Sequence, residues 1–416
     1  MNSRILVNKT TDLLIVFTTI LLYFNSRVDA NIFKAIFILC LLIIMFRKFK
    51  NEFTINQSIV YFGLFVFFNI IFYPYLFLDN IFTLGYFLII LLMYYYYILE
   101  NNIFRIINVY LVFAFLMAFI GIVQEVLFLY DSNLLFYLSK GKNPDFLYLP
   151  DIHILRVASL LDEPTKLGLY ILPAILFGIV KYLYNIEYIR LSKFTFIILI
   201  LAFILTFSAH AFLSLIISLF FLLNINLPNS KKLKFPFFFL FLISLPFILS
   251  LDVVSEKLIN SGLFYKELDL ESSTIGTSAF FYVGFQCALD IFQNFNLFGV
   301  GMGNYNILAQ NYWAGLGLLR RDDGSNIGYV RILVEFGIIG FVLFIYFLYR
   351  TKINIKNVYN TKEVESLLII NYISLLFIVV DLFRMGFYIN PPIIFFLALF
   401  MTSKIKYKLY MNRIVQ

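Results

Sequence analysis

The stretch I-I-N-V-Y-L-V-F-A-F-L-M-A-F-I-G-I-V-Q-E-V-L-F-L, Ile106 to Leu129, decides the fold class. It holds a single charged residue, Glu125, and is longer than the roughly 20 apolar residues that carry a helix across a bilayer core. Runs of this kind recur along the whole chain. The 416 residues are 62% hydrophobic, 20% aromatic and 13% charged, with mean hydropathy +0.90. A soluble domain is nearer a quarter charged. The composition excludes an ordinary soluble enzyme and predicts an all-α, polytopic integral membrane protein.

Outward from that run, about twelve spans are expected. In the first half they centre on Leu13–Phe24, Ile32–Phe46, Ile59–Leu76, Ile81–Leu99, Ile106–Leu129 and Leu167–Leu183. In the second they centre on Phe194–Phe207, Ala211–Leu223, Phe235–Leu251, Ile332–Leu348, Leu367–Val380 and Phe387–Met401. The pair around Ser208, Ala209 and His210 could be two short helices or one long one. With the amino terminus inside and a break at Ser208–His210, about twenty of the 32 Lys and Arg fall in inner loops and termini, Lys231-Lys232-Leu233-Lys234 among them. Both termini are then cytoplasmic. The chain reads as one transmembrane unit, residues 1–416, with two long outer loops containing short helices, 130–166 and 252–329.

Several classes drop out. The net charge of +8 is spread between spans rather than gathered in a patch, so nucleic acid is not an expected partner; the bilayer is. Cys40 and Cys287 are isolated and suggest no disulfide. His153 and His210 make no helical metal pair, so neither a metal nor another cofactor is expected. Leu13–Phe24 lacks a small-residue cleavage site and reads as a retained first span. The halves differ in loop pattern, unlike the paired halves of many transporters.

Charge is costly near a bilayer, so charge placed there points to function. In R-V-A-S-L-L-D-E-P-T-K-L-G (Arg156–Gly168), Pro164 suits the first turn of an entering helix, with Asp162 and Glu163 at its positive end. Arg156 is either an anion ligand or a lipid-headgroup contact. The second stretch runs from L-F-G-V-G-M-G-N-Y (Leu297–Tyr305) to G-S-N-I-G-Y-V-R-I-L-V-E-F-G-I-I-G-F (Gly324–Phe341). Between them, Arg320 and Arg321 adjoin Asp322 and Asp323, so solvated pairing competes with ligand binding. Arg331 and Glu335 have the spacing of an internal helical pair, the alternative to a ligand role. Gly299-x-Gly301-x-Gly303 lacks the strand, helix and acid of a nucleotide loop and reads as a turn. Phe280–Phe295 is either an interfacial lid or a packing helix. Asp381 and Arg384 read as a local ion pair. Guanidinium groups fork onto phosphate oxygens, and a carboxylate can accept a sugar hydroxyl proton. Together they suit a lipid pyrophosphate bearing a sugar.

Four features in order resemble the O-antigen polymerase (Wzy-type) and O-antigen ligase superfamily. They are Gly121-Ile-Val-Gln124, Arg156 to Gly168, Leu205-Thr-Phe-Ser208, and Phe298-Gly-Val-Gly301 through Gly337-Ile-Ile-Gly340. The resemblance implies inverting, metal-independent glycosyl transfer at the outer face of the bacterial inner membrane, joining undecaprenyl-pyrophosphate-linked repeat units. It implies Arg156 with Arg320 or Arg321 as diphosphate clamps and Glu163 as base. Gln124, His210, Gly299, Gly301, Asn326, Arg331 and Glu335 would then contact substrate. Ala209-His210 stand where the family often has Arg, and 322–326 lack the His that ligases carry there. That favours a polymerase; a ligase, or a lipid-linked oligosaccharide flippase, is the alternative. A chain-length regulator is a further partner that the sequence leaves open.

Overall fold

The computed structural model describes residues 12–19, 63, 66, 77–130, 148–149, 154–161, 163–184, 186–223, 277–295, 297–315, 328–354, 361–383 and 390–415. Its helices are α1 (Phe77–Glu100), α2 (Ile103–Leu129), α3 (Pro164–Tyr184), α4 (Lys193–Leu205) and α5 (Ala209–Leu223). They continue with α6 (Thr277–Asn294), α7 (Asn304–Gly315), α8 (Gly328–Thr351), α9 (Lys362–Asp381) and α10 (Pro391–Val415). Residues 12–19 are also helical.

Eight expected spans fall on α1 to α5 and α8 to α10. Those expected at 32–46 and 235–251 lie outside the described residues, and the one at 59–76 is described only at Gly63 and Val66. Among the described residues, α2, α3, α8 and α9 are long and apolar enough to cross a membrane, while α4 and α5 are apolar but shorter. The chain is thus an integral membrane protein, all-helical among the described residues save one two-rung hairpin. In it β1 (Tyr148–Leu149) pairs antiparallel with β2 (Ile154–Leu155), in a loop where short helices were expected. Pro150 and Asp151, both turn formers, lie between the strands in sequence.

α9 and α10 pack against each other at the centre, with α1 on α10 and α3 and α5 on α9. Aromatic rings fill the middle: Phe377 lies 4.4 Å from Phe396, which meets Tyr110 edge-on at 5.3 Å. Lipid cannot drive apolar helices together, so buried polar groups do part of this work. Fully buried Asn371 of α9 accepts from Ile353 N–H (2.9 Å) and donates to Phe400 O (2.8 Å) and Ser403 Oγ (3.1 Å). It thereby ties α9 to α10 and to the end of α8. The helix at 12–19 docks through Thr18 to Tyr94 (2.6 Å) and through Asp12 to Tyr97 and Arg105.

Two lysines of α10 fix the direction of the bundle. Lys406 donates to Leu99 O and Asn101 O, each at 2.9 Å, capping α1. Lys404 donates to Arg350 O and Lys352 O, capping α8. Such bonds satisfy the carbonyls a helix end leaves open. They gather the ends of α1, α8 and α10 and the start of α2 at one end of the bundle, the lysine end. The far end of α2 and the starts of α3 and α8 therefore lie at the opposite end.

Candidate active site

At that opposite end the Arg156 segment is held by backbone hydrogen bonds from three sides. Gln124, buried on α2, accepts from Ser159 N–H (2.7 Å) and Ala158 N–H (3.3 Å) and donates to Ser159 O (2.7 Å). Its neighbour Glu125 accepts from Leu155 N–H (3.0 Å). Val157 N–H bonds Leu205 O at the end of α4 (3.1 Å). Ser159 takes φ 56°, a left-handed conformation uncommon outside glycine, and the Gln124 amide holds both of its backbone polar groups. Gly121, one turn before Gln124, lies close to Val157 and Leu167, where a Cβ would sit 3.4 and 3.3 Å from their side chains. The G-x-x-Q spacing thus has a mechanical reading: a small residue admits the loop and an amide fastens it.

Arg156 rides on this fastened segment. Among the described residues its buried Nε has no hydrogen-bond partner and the side chain makes no ion pair. Burial pulls its pKa below the ordinary arginine value, and the Glu163 carboxylate pushes it back up. Arginine stays ionised at neutral pH, so this is a half-buried cation with an unmet donor at Nε. An anion is the group that would relieve both deficits.

Glu163 is exposed, and its carbonyl accepts from Lys166 and Leu167 N–H at the first turn of α3, where Pro164 is the first helical residue. Asp162 lies outside the described residues. The α4–α5 corner closes the same region. Phe207 has φ 42°, and the chain turns there, so α4 and α5 are two helices that each pack on α3. Ser208 Oγ bonds Thr165 Oγ1 (2.9 Å) and accepts from Ala211 N–H (3.3 Å). A Cβ on Gly168 would sit 2.5 Å from Ala211 Cβ, so only glycine allows this approach. His210 is half-buried at the start of α5, beside Ala211.

The second half of the site is a broken helix. Gly337 interrupts α8 with φ 65° and ψ −172°. A break in a membrane helix needs other partners for the freed backbone groups. The segment Leu297–Gly301 supplies them: Val300 N–H to Val334 O (2.9 Å), Gly301 N–H to Glu335 O (3.0 Å), and Ile339 N–H to Leu297 O (3.2 Å). Gly299 also has positive φ, 75°, and a Cβ there would overlap the Glu335 backbone; one on Gly337 would overlap the Leu297 backbone. The G-x-G and G-I-I-G motifs are therefore the two faces of one lock. Arg331 and Glu335, just before the break, are both buried and pair at 2.9 Å, the internal pair that their spacing allowed. Phe280–Phe295 lies within α6 and its end, and α6 packs on α7 and α8 through Cys287, Ala288, Val300, Tyr305 and Val334, the packing alternative to a lid.

The structure brings Gln124, Arg156, Glu163 and His210 into one neighbourhood, and Gly299, Gly301, Arg331 and Glu335 into another at the same end of the bundle. α9 connects them: it packs on α3 and α5, and at its end Leu382 O accepts from Tyr329 N–H of α8 (3.4 Å). Arg320, Arg321 and Asn326 lie outside the described residues, as does Arg384. Asp381, whose expected partner is Arg384, is fully buried, with Asn390 Nδ2 3.5 Å from Oδ2 and, among the described residues, no partner on Oδ1. Thr165 and Asp381 do not stand out as site residues in the sequence. Thr165 was legible in principle, as the hydroxyl after Pro164, but its partner Ser208 is 43 residues away. Among the described residues no group of His, Cys, Asp and Glu is arranged for a metal.

No curated protein matches the chain. Residues 194–345, from α4 through the corner and the lock and into the second half of α8, match the family model described as O-antigen ligase (Wzy_C). The match bears out the resemblance to the O-antigen polymerase and ligase superfamily, and it spans the third and fourth motifs, Leu205–Ser208 and Phe298–Gly340, but not the first two.

Proposed function

We propose that the protein is a polysaccharide polymerase of the bacterial inner membrane, joining undecaprenyl-pyrophosphate-linked repeat units at the outer face. The Arg156 end is the outer end, because the lysine end collects Lys404, Lys406, Arg105 and Arg190, as the positive-inside rule requires. The observation that carries the reading is the buried, unpaired Nε of Arg156 on a segment fastened by Gln124. Such a group is preorganised for an anion, because its position is already fixed before the anion arrives.

In the reaction, an acceptor sugar hydroxyl attacks the anomeric carbon of the donor from the face opposite the diphosphate. The new glycosidic C–O bond forms as the bond to the diphosphate oxygen breaks, which inverts the anomeric centre. Arg156, with Arg320 or Arg321, neutralises the charge that grows on the departing diphosphate. Glu163 takes the hydroxyl proton. The products are a longer lipid-linked glycan and free lipid pyrophosphate.

A ligase reading has one observation in its favour, the O-antigen ligase description of the matched family. The two differ in what a deletion strain accumulates. For a polymerase, lipid-linked single repeats remain and single repeats still reach the final acceptor, while long chains vanish. Long lipid-linked chains that fail to reach an acceptor would instead establish the ligase. Unchanged glycan at every stage would remove both.

A further inference from the structure

At the lysine end, away from the Arg156 site, a cavity of about 640 Å³ lies between the helix at 12–19, the first three turns of α2 and the loop that joins α3 to α4. Its rim is polar and its floor apolar. The rim carries Arg105, Asn108, Glu187 and Arg190; the floor carries Leu13, Val109 and Val112. From Asn102 to Val112 it follows α2 for about 15 Å, at 1.5 Å per residue. That distance covers the headgroup layer and the first part of the hydrocarbon.

The wall is built rather than incidental. Asn108 donates to Tyr188 O (2.9 Å) and accepts from Arg190 N–H (2.7 Å), pinning the loop to α2. Phe104 stacks on Tyr188 at 4.7 Å. The charges around the rim cancel in pairs with one left over. Arg105 pairs with buried Asp12, and Lys362 with Glu187, which lies below its ordinary pKa because Lys362 donates to it. Arg190 is exposed and makes no ion pair among the described residues. The floor is equally unmet: Val112 is 52% and Leu13 44% exposed, and Leu116 and Phe119 continue the apolar stripe up α2.

We propose that this cavity is a binding site for one anionic phospholipid, with the phosphate on Arg190 and an acyl chain running over Leu13, Val109 and Val112. A free cation at headgroup depth above an uncovered apolar track matches the two parts of such a lipid, and basic pockets beside membrane helices bind such headgroups. The inference is independent of the glycosyl-transfer reading. It rests on the membrane fold alone.

The test is native mass spectrometry of the full chain in detergent, with phosphatidylglycerol or phosphatidylcholine added in equal amounts, alone and with excess inorganic phosphate. The wild type is expected to retain one phosphatidylglycerol about fivefold better than phosphatidylcholine, the factor that one interfacial cation contributes. Arg190→Ala and Arg190→Gln should lose that preference, and Arg190→Lys should keep it. Equal retention of the two lipids by the wild type, or an unchanged preference in either neutral variant, overturns the proposal. Displacement of the lipid by inorganic phosphate also overturns it, since the site would then belong to a free anion. Among the described residues Arg190 bonds the protein only through its backbone, so the variants test the ligand rather than the fold.

Discussion

At the residue scale, the arrangement turns on a division of labour between Arg156 and Gln124. Arg156 has unmet hydrogen-bonding capacity, whereas Gln124 uses its amide on the backbone at Ala158 and Ser159. Replacing Gln124 by Leu leaves buried Ser159 N–H and C=O without partners, a loss of about 2 kcal/mol. The variant is expected to unfold at lower temperature and to lose elongation, although Gln124 carries no charge. Thermal unfolding of the detergent-solubilised protein checks this; an unchanged midpoint would show that the amide does not hold the loop. Arg156→Lys keeps the charge and loses the planar fork. It is expected to leave short chains at reduced yield, read from the glycan length distribution on a gel.

At the element scale, the account rests on the interruption of α8. Gly299 and Gly337 each need positive φ, and each lies where the other's segment leaves no room for a Cβ. Gly337→Ala and Gly299→Ala should each cost more than about 2 kcal/mol through strain and displaced backbone. Because both break one lock, the double variant should cost much less than the sum of the two. A double-variant cycle by unfolding in denaturant measures this, and additive losses would contradict the lock. Much of α1 to α5 and α8 to α10 was legible in the sequence, because apolar length alone marks a span. The corner at Ser208–His210 was legible from polarity and from charge balance across Lys231–Lys234. The partnership of Gly299 with Gly337 was not: Gly299 reads as a turn, but Gly337 reads as part of an unbroken span at Ile332–Leu348, and what each approaches lies dozens of residues away. The same holds for Gln124 and Ser159, where nothing in a single chain reports a long-range hydrogen bond. The Arg331–Glu335 pair could be read because it is local to one helical turn.

At the scale of the whole molecule, the bundle has two chemically distinct ends. At the lysine end Lys404 and Lys406 cap helix ends, while at the opposite end Arg156 keeps a buried Nε without a partner among the described residues. That polarity predicts topology. In intact cells, Glu163→Cys should react with a membrane-impermeant thiol reagent, whereas Lys408→Cys should react only after permeabilisation. The reverse pattern would turn the protein over and place the Arg156 site in the cytoplasm. The central claim is that Arg156 holds the diphosphate of a lipid-linked glycan, and its most direct test is the glycan made by a deletion strain carrying Arg156→Ala. Normal amounts of inserted protein, accumulated lipid-linked single repeats and no long chains are expected. Long chains of wild-type length and yield from that variant would contradict it.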